Sequence, residues 1–120
     1  VLVTGSRTWR DADAIRRQLE VKKAIADSLH KTLVIMHGGC AGADTVADEE
    51  ARELGIHTLI CEPLWEFFKQ AAGPIRNSVM VALRPDVALV FHENLARSKG
   101  TKDCVERLKD AHIPYMEVSK

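Results

Sequence analysis

The sequence predicts an α/β fold, a five-stranded parallel sheet covered by helices on both sides. Three observations carry that expectation. Short apolar runs alternate along the chain with amphipathic segments at helical spacing. One run, Asp86 to Phe91, is nearly continuous in apolar residues, as a central strand buried on both faces must be. Glycine-containing turns at Gly5, Gly38-Gly39 and Gly100 follow three of the runs, where strands hand over to helices. Right-handed crossovers then place all three turns at the carboxyl ends of the strands, where ligands of such sheets bind.

Val1-Leu2-Val3-Thr4 reads as a short buried strand ended by Gly5. Asp11 or Asp13 caps a helix whose Ile15, Leu19, Ala26 and Leu29 share one face. Thr32 to Met36 is the second strand. Ala43, Val46, Ala47, Ala51 and Leu54 make the apolar stripe of a second helix, and Gly55 is its natural stop. His57 to Cys61 forms a third strand, closed by Pro63, and Trp65 to Ala72 is a short helix or irregular loop. Pro74 suits the first turn of a helix through Arg76, Val79, Met80 and Leu83, because that turn has no use for its missing N–H. After the central strand, Thr101 starts a last helix with Cys104, Val105, Leu108 and Ala111 inward, and Pro114 to Val118 is the final strand. There is no repeat, linker or low-complexity stretch, so residues 1–120 are expected to be one domain.

The composition, 46% hydrophobic and 28% charged, is that of an ordinary globular domain. Seventeen basic and seventeen acidic residues cancel, so no overall field draws the chain to nucleic acid or to an anionic membrane. Cys40, Cys61 and Cys104 are odd in number and lack metal-ligand spacing. They read as reduced thiols, and the expected location is cytoplasmic. No apolar run reaches membrane-spanning length, and no signal peptide precedes the first strand. Val1 opens inside a strand without a methionine, so residues before it are expected.

His37-Gly38-Gly39-Cys40-Ala41-Gly42-Ala43-Asp44 is the strongest signal. Gly38 and Gly39 admit an anion close to the backbone, amides at the following helix start bind it, and Gly42 lets helix and ligand pack closely. The segment matches neither the phosphate-binding Walker pattern nor the dinucleotide glycine pattern. Asp44 either caps its helix or accepts a hydrogen bond from a ribose hydroxyl. In Gly5-Ser6-Arg7-Thr8-Trp9, Ser6 can donate to a phosphate oxygen and Arg7 can contact one bidentately, while Trp9 is either a base platform or a lid on the core. Arg76 and Asn77 open a helix after Gly73-Pro74, where the dipole disfavours a cation; Arg76 therefore faces an anion or bridges to Glu62 or Glu66. Ser98, Gly100 and Thr101 open the last helix, with Thr101 capping it, binding phosphate, or both. His37 and His92 sit at strand tips as acid–base groups or as loop ligands; no metal site and no nucleophile–base–acid triad is present in the sequence. No metal or resident cofactor is expected beyond a nucleotide ligand.

In this order the motifs resemble the SMF/DprA–LOG superfamily (SLOG), in particular its small members related to YspA and the YpsA group. The matching segments are those at Gly5 to Trp9 and His37 to Asp44, Trp65 with Lys69 and Ala72 to Met80, Asp86 to Phe91, and Ser98 to Thr101. The resemblance implies a Rossmann-like three-layer sandwich with strand order 3-2-1-4-5, a nucleotide or nucleotide-derived ligand, a homo-oligomer, commonly a dimer, and phage origin. It also brings an enzymatic alternative. LOG enzymes cut the N-glycosidic bond of nucleoside monophosphates with an arginine and a glutamate. Arg76 fits the arginine, with Asn77 where lysine is usual. Gly100-Thr101 fits the second motif, but Ser98-Lys99 replaces its glycine pair and Cys104 stands at the glutamate position. Asp103 is the substitute carboxylate considered, one residue off and so about 100° around the helix.

A nucleotide-binding sensor domain is therefore the leading expectation. A LOG-like phosphoribohydrolase using Arg76 and Asp103 is the alternative. A DprA-like binder of single-stranded DNA, with Arg7, Arg10, Arg16, Arg17, Lys22 and Lys23 on a basic face, is a further one that the zero net charge disfavours. Trp65, Phe67 and Phe68 form an apolar cluster that serves either self-association or the core.

Overall fold

A computed structural model describes residues 1–119. Strand β1 is Leu2–Gly5 and helix α1 Ala12–Ser28, followed by β2 Val34–His37, α2 Ala43–Glu53 and β3 His57–Ile60. A single turn, α3 Trp65–Phe68, and a 3-10 turn lead into α4 Ala72–Ala82. Then come β4 Ala88–His92, a second 3-10 turn Leu95–Arg97, α5 Lys99–Asp110 and β5 Tyr115–Ser119. The strands pair in parallel in the order β3-β2-β1-β4-β5. This is the α/β Rossmann-like arrangement expected from the sequence.

Alternation along the strands divides the core in two. Val3, Ile35, Leu89 and Phe91 meet Ile15 and Leu19 of α1 and Ala43, Ala47 and Ala51 of α2 on one side. Leu2, Met36 and Ala88 meet Met80 and Val81 of α4 and Cys104 and Leu108 of α5 on the other. Burying each Leu or Ile contributes about 1.5–3 kcal/mol, so the apolar stripes hold the three layers together. All of β4 is buried, which explains its unbroken apolar run. The edge strand β3 leaves Leu59 and Ile60 exposed.

Several boundaries differ from expectation. Leu29 is 57% exposed rather than inward. With 17 residues, α1 is about 25 Å long, roughly twice the length of a four-residue strand, so its end overhangs the sheet. β2 starts at Val34, where pairing with His57 of β3 begins, and not at Thr32. α5 starts two residues before Thr101, because the Ser98 carbonyl already accepts a helical bond from the Lys102 N–H. Asp11, not Asp13, caps α1, accepting from the Ala14 N–H at 3.0 Å. The Trp65-Phe67-Phe68 cluster is exposed and not core.

After β3 the chain crosses back past β1 to begin β4. The connections after β1 and β4 therefore leave toward opposite faces, and a crevice opens between them.

Candidate functional site

That crevice is a cavity of about 790 Å³. Gly5, Ser6 and Arg7 line it from β1, Asp44 from α2, Arg76 and Asn77 from α4, and Ser98, Gly100 and Thr101 from α5. A second hollow of about 430 Å³ adjoins it at Arg7 and Cys40, which border both, and is lined further by Gly38, Gly39, Glu62, Pro63 and Trp65. The three glycine turns thus meet at one rim. Gly42 and Asp103 border neither space.

The turn after β1 is built for close packing. A side chain at Gly5 would strike the Phe91 carbonyl and Ala43. Ser6 Oγ accepts the Thr8 N–H at 3.1 Å and shares a hydrogen bond with Thr8 Oγ1 at 2.8 Å. Thr8 Oγ1 in turn donates to Glu93 Oε2 at 3.1 Å, tying the β1 and β4 loops together. Trp9 is 1% exposed, donates its indole N–H to the Asp11 carbonyl, and packs 5.6 Å from the Phe91 ring. It is the lid on the core and not a base platform.

The turn after β2 differs from expectation in its amides. Gly38 and Cys40 donate their N–H groups to Asp44 Oδ2 at 3.0 and 3.3 Å, and the Gly39 N–H goes to His37 Nδ1 at 3.0 Å. The carboxylate of Asp44 fills the anion place within the loop. Asp44 does not cap α2, because Gly42 holds the N-cap position. Gly42 has φ +80°, and a β-carbon there would strike the Ser6 and Arg7 backbone. Its bareness serves contact between two loops, not between helix and ligand. Burial pushes the Asp44 carboxyl up, opposed by the Cys40 and Gly38 amides and the charge of Arg76. His37 is also engaged at Nε2, 2.8 Å from Asp48 Oδ1. Burial opposes ionisation of Asp48, but hydrogen bonds from His37 and Arg52 outweigh it and hold that carboxyl below its ordinary value. Both strand-tip histidines stand outside the two spaces; His92 is buried, with Nε2 3.9 Å from Glu117.

Arg76 bridges to neither Glu62 nor Glu66. Its Nη1 donates to the Gly38 carbonyl at 2.6 Å, its Nε to Asn77 Oδ1 at 2.8 Å, and both Nη atoms lie 3.7 Å from Cys40 Sγ. The guanidinium lies where a Gly38 side chain would be, which is why that position is bare. Asn77 is 3% exposed and donates to the Gly100 carbonyl at 3.2 Å and to Asp103 Oδ2 at 3.0 Å. Asp103 also accepts from Arg107 Nε at 2.9 Å. Its carboxylate is thus held between helices and does not face the cavity, contrary to the catalytic role considered for it. Cys104 is fully buried and its thiol is pushed up to about 11 by desolvation, so it is an apolar core group at neutral pH.

At the start of α5, Ser98 Oγ donates to Thr101 Oγ1 at 2.6 Å. A β-carbon added to Gly100 would meet nothing within 4 Å. Two cavity cations went unselected in the sequence, Arg97 and Lys99. The signal was present: they bracket Ser98 at a helix start, where the dipole disfavours positive charge. Arg7, Arg97 and Lys99 are exposed, and among the described residues their side chains make no hydrogen bond or ion pair. The basic face considered for DNA is largely committed elsewhere. Arg16 pairs with Glu20, Glu50 and Glu53, Lys23 pairs with Asp27, and Arg10 donates to the Arg7 and Trp9 carbonyls. No helix among the described residues is long and apolar enough to cross a membrane.

A family model described as the YspA, cpYpsA-related SLOG family matches residues 1–68. The sequence is 39% identical over 124 residues to the Gene 61 protein of Mycobacterium phage D29, an alignment covering 97% of this chain and 93% of that protein. No solved structure matches it.

Proposed function

The chain belongs to the YspA, cpYpsA-related SLOG family, and we propose that it binds a nucleotide or nucleotide-derived anion at the carboxyl-end rim of its sheet. One observation carries the reading: Arg7, Arg97 and Lys99 surround a single cavity and have no protein partners among the described residues. Four cations, Arg7, Arg76, Arg97 and Lys99, line the cavity against two carboxylates, Asp44 and Glu93, and a polyanion relieves the repulsion among the excess positive charges. The amides opening α5 add their partial positive charge at the same wall. Gly100 presents bare backbone there, so a phosphate can approach closely. Thr101, which accepts from Ser98, keeps its own hydroxyl hydrogen beside it.

Neither Asp103 nor Cys104 borders the cavity, so the residues of α5 considered for glycosidic hydrolysis do not face a nucleotide bound there. Binding is the function this geometry supports best. Isothermal calorimetry with nucleoside mono- and diphosphates, ADP-ribose and NAD tests it. Heat from at least one is expected, with affinity falling on Arg97→Ala or Lys99→Ala and with added salt. Silence from the whole panel at millimolar concentration overturns the proposal. The exposed Phe67 and Phe68 supply the apolar face for the homodimer that the resemblance implies.

A further inference from the structure

Resting on that reading, we propose that the smaller hollow is a nucleobase subsite. A base bearing an exocyclic amino group stacks on Trp65 and hydrogen-bonds to Glu62, and its phosphates lie past Arg7 in the larger cavity. The two spaces adjoin, since Arg7 and Cys40 border both.

Charge decides which end of the ligand goes where. The amides of Gly38, Gly39 and Cys40, which border the smaller hollow, are already paired with Asp44 and His37. Glu62 adds a carboxylate to the same wall. A phosphate would meet repulsion there and find no donors among those amides. The cations Arg97 and Lys99, which have no partner among the described residues, border only the larger cavity. The uncharged end of the ligand therefore belongs in the smaller hollow.

That hollow is furnished for a flat, aromatic, donor-bearing group. Trp65 is 48% exposed. A β-carbon at Gly73 would lie 3.7 Å from its Cη2, so one ring edge lies beside the first turn of α4 while much of the ring stays open. Such a ring stacks any base. Gly39, at φ +73°, keeps the hollow wide, since a β-carbon there would come 3.2 Å from Ile60 Cγ2 and 3.6 Å from Glu62 Cγ. The Glu62 side chain makes no hydrogen bond or ion pair among the described residues. A carboxylate only accepts, so it favours adenine, guanine or cytosine, which offer amino hydrogens. It disfavours uracil, whose single edge N–H lies between two carbonyls.

The chain has two tryptophans, and the other, Trp9, is 1% exposed, so a ligand-induced change in emission reports on Trp65. ADP, UDP and ribose 5-phosphate are titrated by fluorescence and calorimetry. ADP is expected to quench emission, ribose 5-phosphate to bind without quenching, and UDP to bind more weakly than ADP. Trp65→Ala should weaken ADP about ten- to a hundredfold and leave ribose 5-phosphate unchanged. Trp65→Phe should restore most of the loss, and Glu62→Gln should narrow the gap between ADP and UDP. Unaltered ADP affinity in Trp65→Ala, or equal affinity for ADP and UDP, overturns the subsite and leaves nucleotide binding standing. Absence of heat from both ADP and ribose 5-phosphate removes the subsite and counts against the larger cavity as well.

Discussion

Gly42 and Gly100 both border helix starts at the rim, yet their surroundings are opposite. A side chain at Gly42 would enter the Ser6 and Arg7 backbone from a positive-φ conformation. A side chain at Gly100 would meet open space. Gly42→Ala should cost about 1–3 kcal/mol in backbone strain, with the clash in addition. Gly100→Ala should stabilise the free protein by up to about 1 kcal/mol, since alanine is the better helix former, and should weaken nucleotide binding by crowding the phosphate. Urea unfolding and calorimetry on the two variants check this. A Gly100→Ala protein that is more stable and binds as tightly as the parent would remove the phosphate from that wall. Cys104 makes a related point, because a sequence match at its position says nothing about access, and only packing reveals that it is sealed in the core.

At the scale of elements, the rim depends on how α4 and α5 are joined. Asn77 does this with one amide group: its oxygen accepts from Arg76, and its nitrogen donates to the Gly100 carbonyl and to Asp103. Arg76 in turn donates to the Gly38 carbonyl, so the clip extends from α5 through α4 to the loop after β2. Removing a buried partner leaves its mates unsatisfied, at about 1–3 kcal/mol. Asn77→Ala should lose that much stability. Asn77→Asp should lose it too, since a carboxylate would keep the Arg76 bond but oppose Asp103. An Asn77→Ala urea midpoint equal to the parent's would show that the clip contributes nothing. The joint between these elements was invisible in the sequence, where Asn77 reads as a ligand contact in place of lysine, because its partners lie 23 and 26 residues away.

Over the whole molecule, two carboxylates of α2 pull stability in opposite directions with pH. The Asp44 carboxyl is raised above its ordinary value of 3.8 in the fold, so its contribution is fully present below 3.8 and is lost as pH rises through the raised value. Asp48 is lowered from 3.8, so its contribution is present above 3.8 and is lost as pH falls through the lowered value. Asp44→Asn should remove the decline in stability above pH 3.8, and Asp48→Asn should reduce the loss on the acid side. Urea midpoints measured across the acid to neutral range read both. A parent-like pH slope in Asp44→Asn would mean that its burial carries no cost.

The sequence by itself determined the layered fold and the rim. Alternation in the strands, helical spacing between them and glycines at strand ends are local properties, and parallel crossovers leave few ways to assemble them. It also determined which loops meet: those led by Gly5, Gly38 and Gly100 border two adjoining spaces. Tertiary structure alone decided what each polar group does there. The Gly38 and Gly39 amides close on Asp44 and His37, Asp103 is held by Asn77 and Arg107, and Trp9 is sealed beside Phe91. Among the described residues, Arg7, Arg97 and Lys99 are left without partners. Residue type sets only what a group is able to donate or accept. Whether another part of the chain has already taken that capacity depends on distances between segments far apart in sequence, and these exist only once the chain has folded.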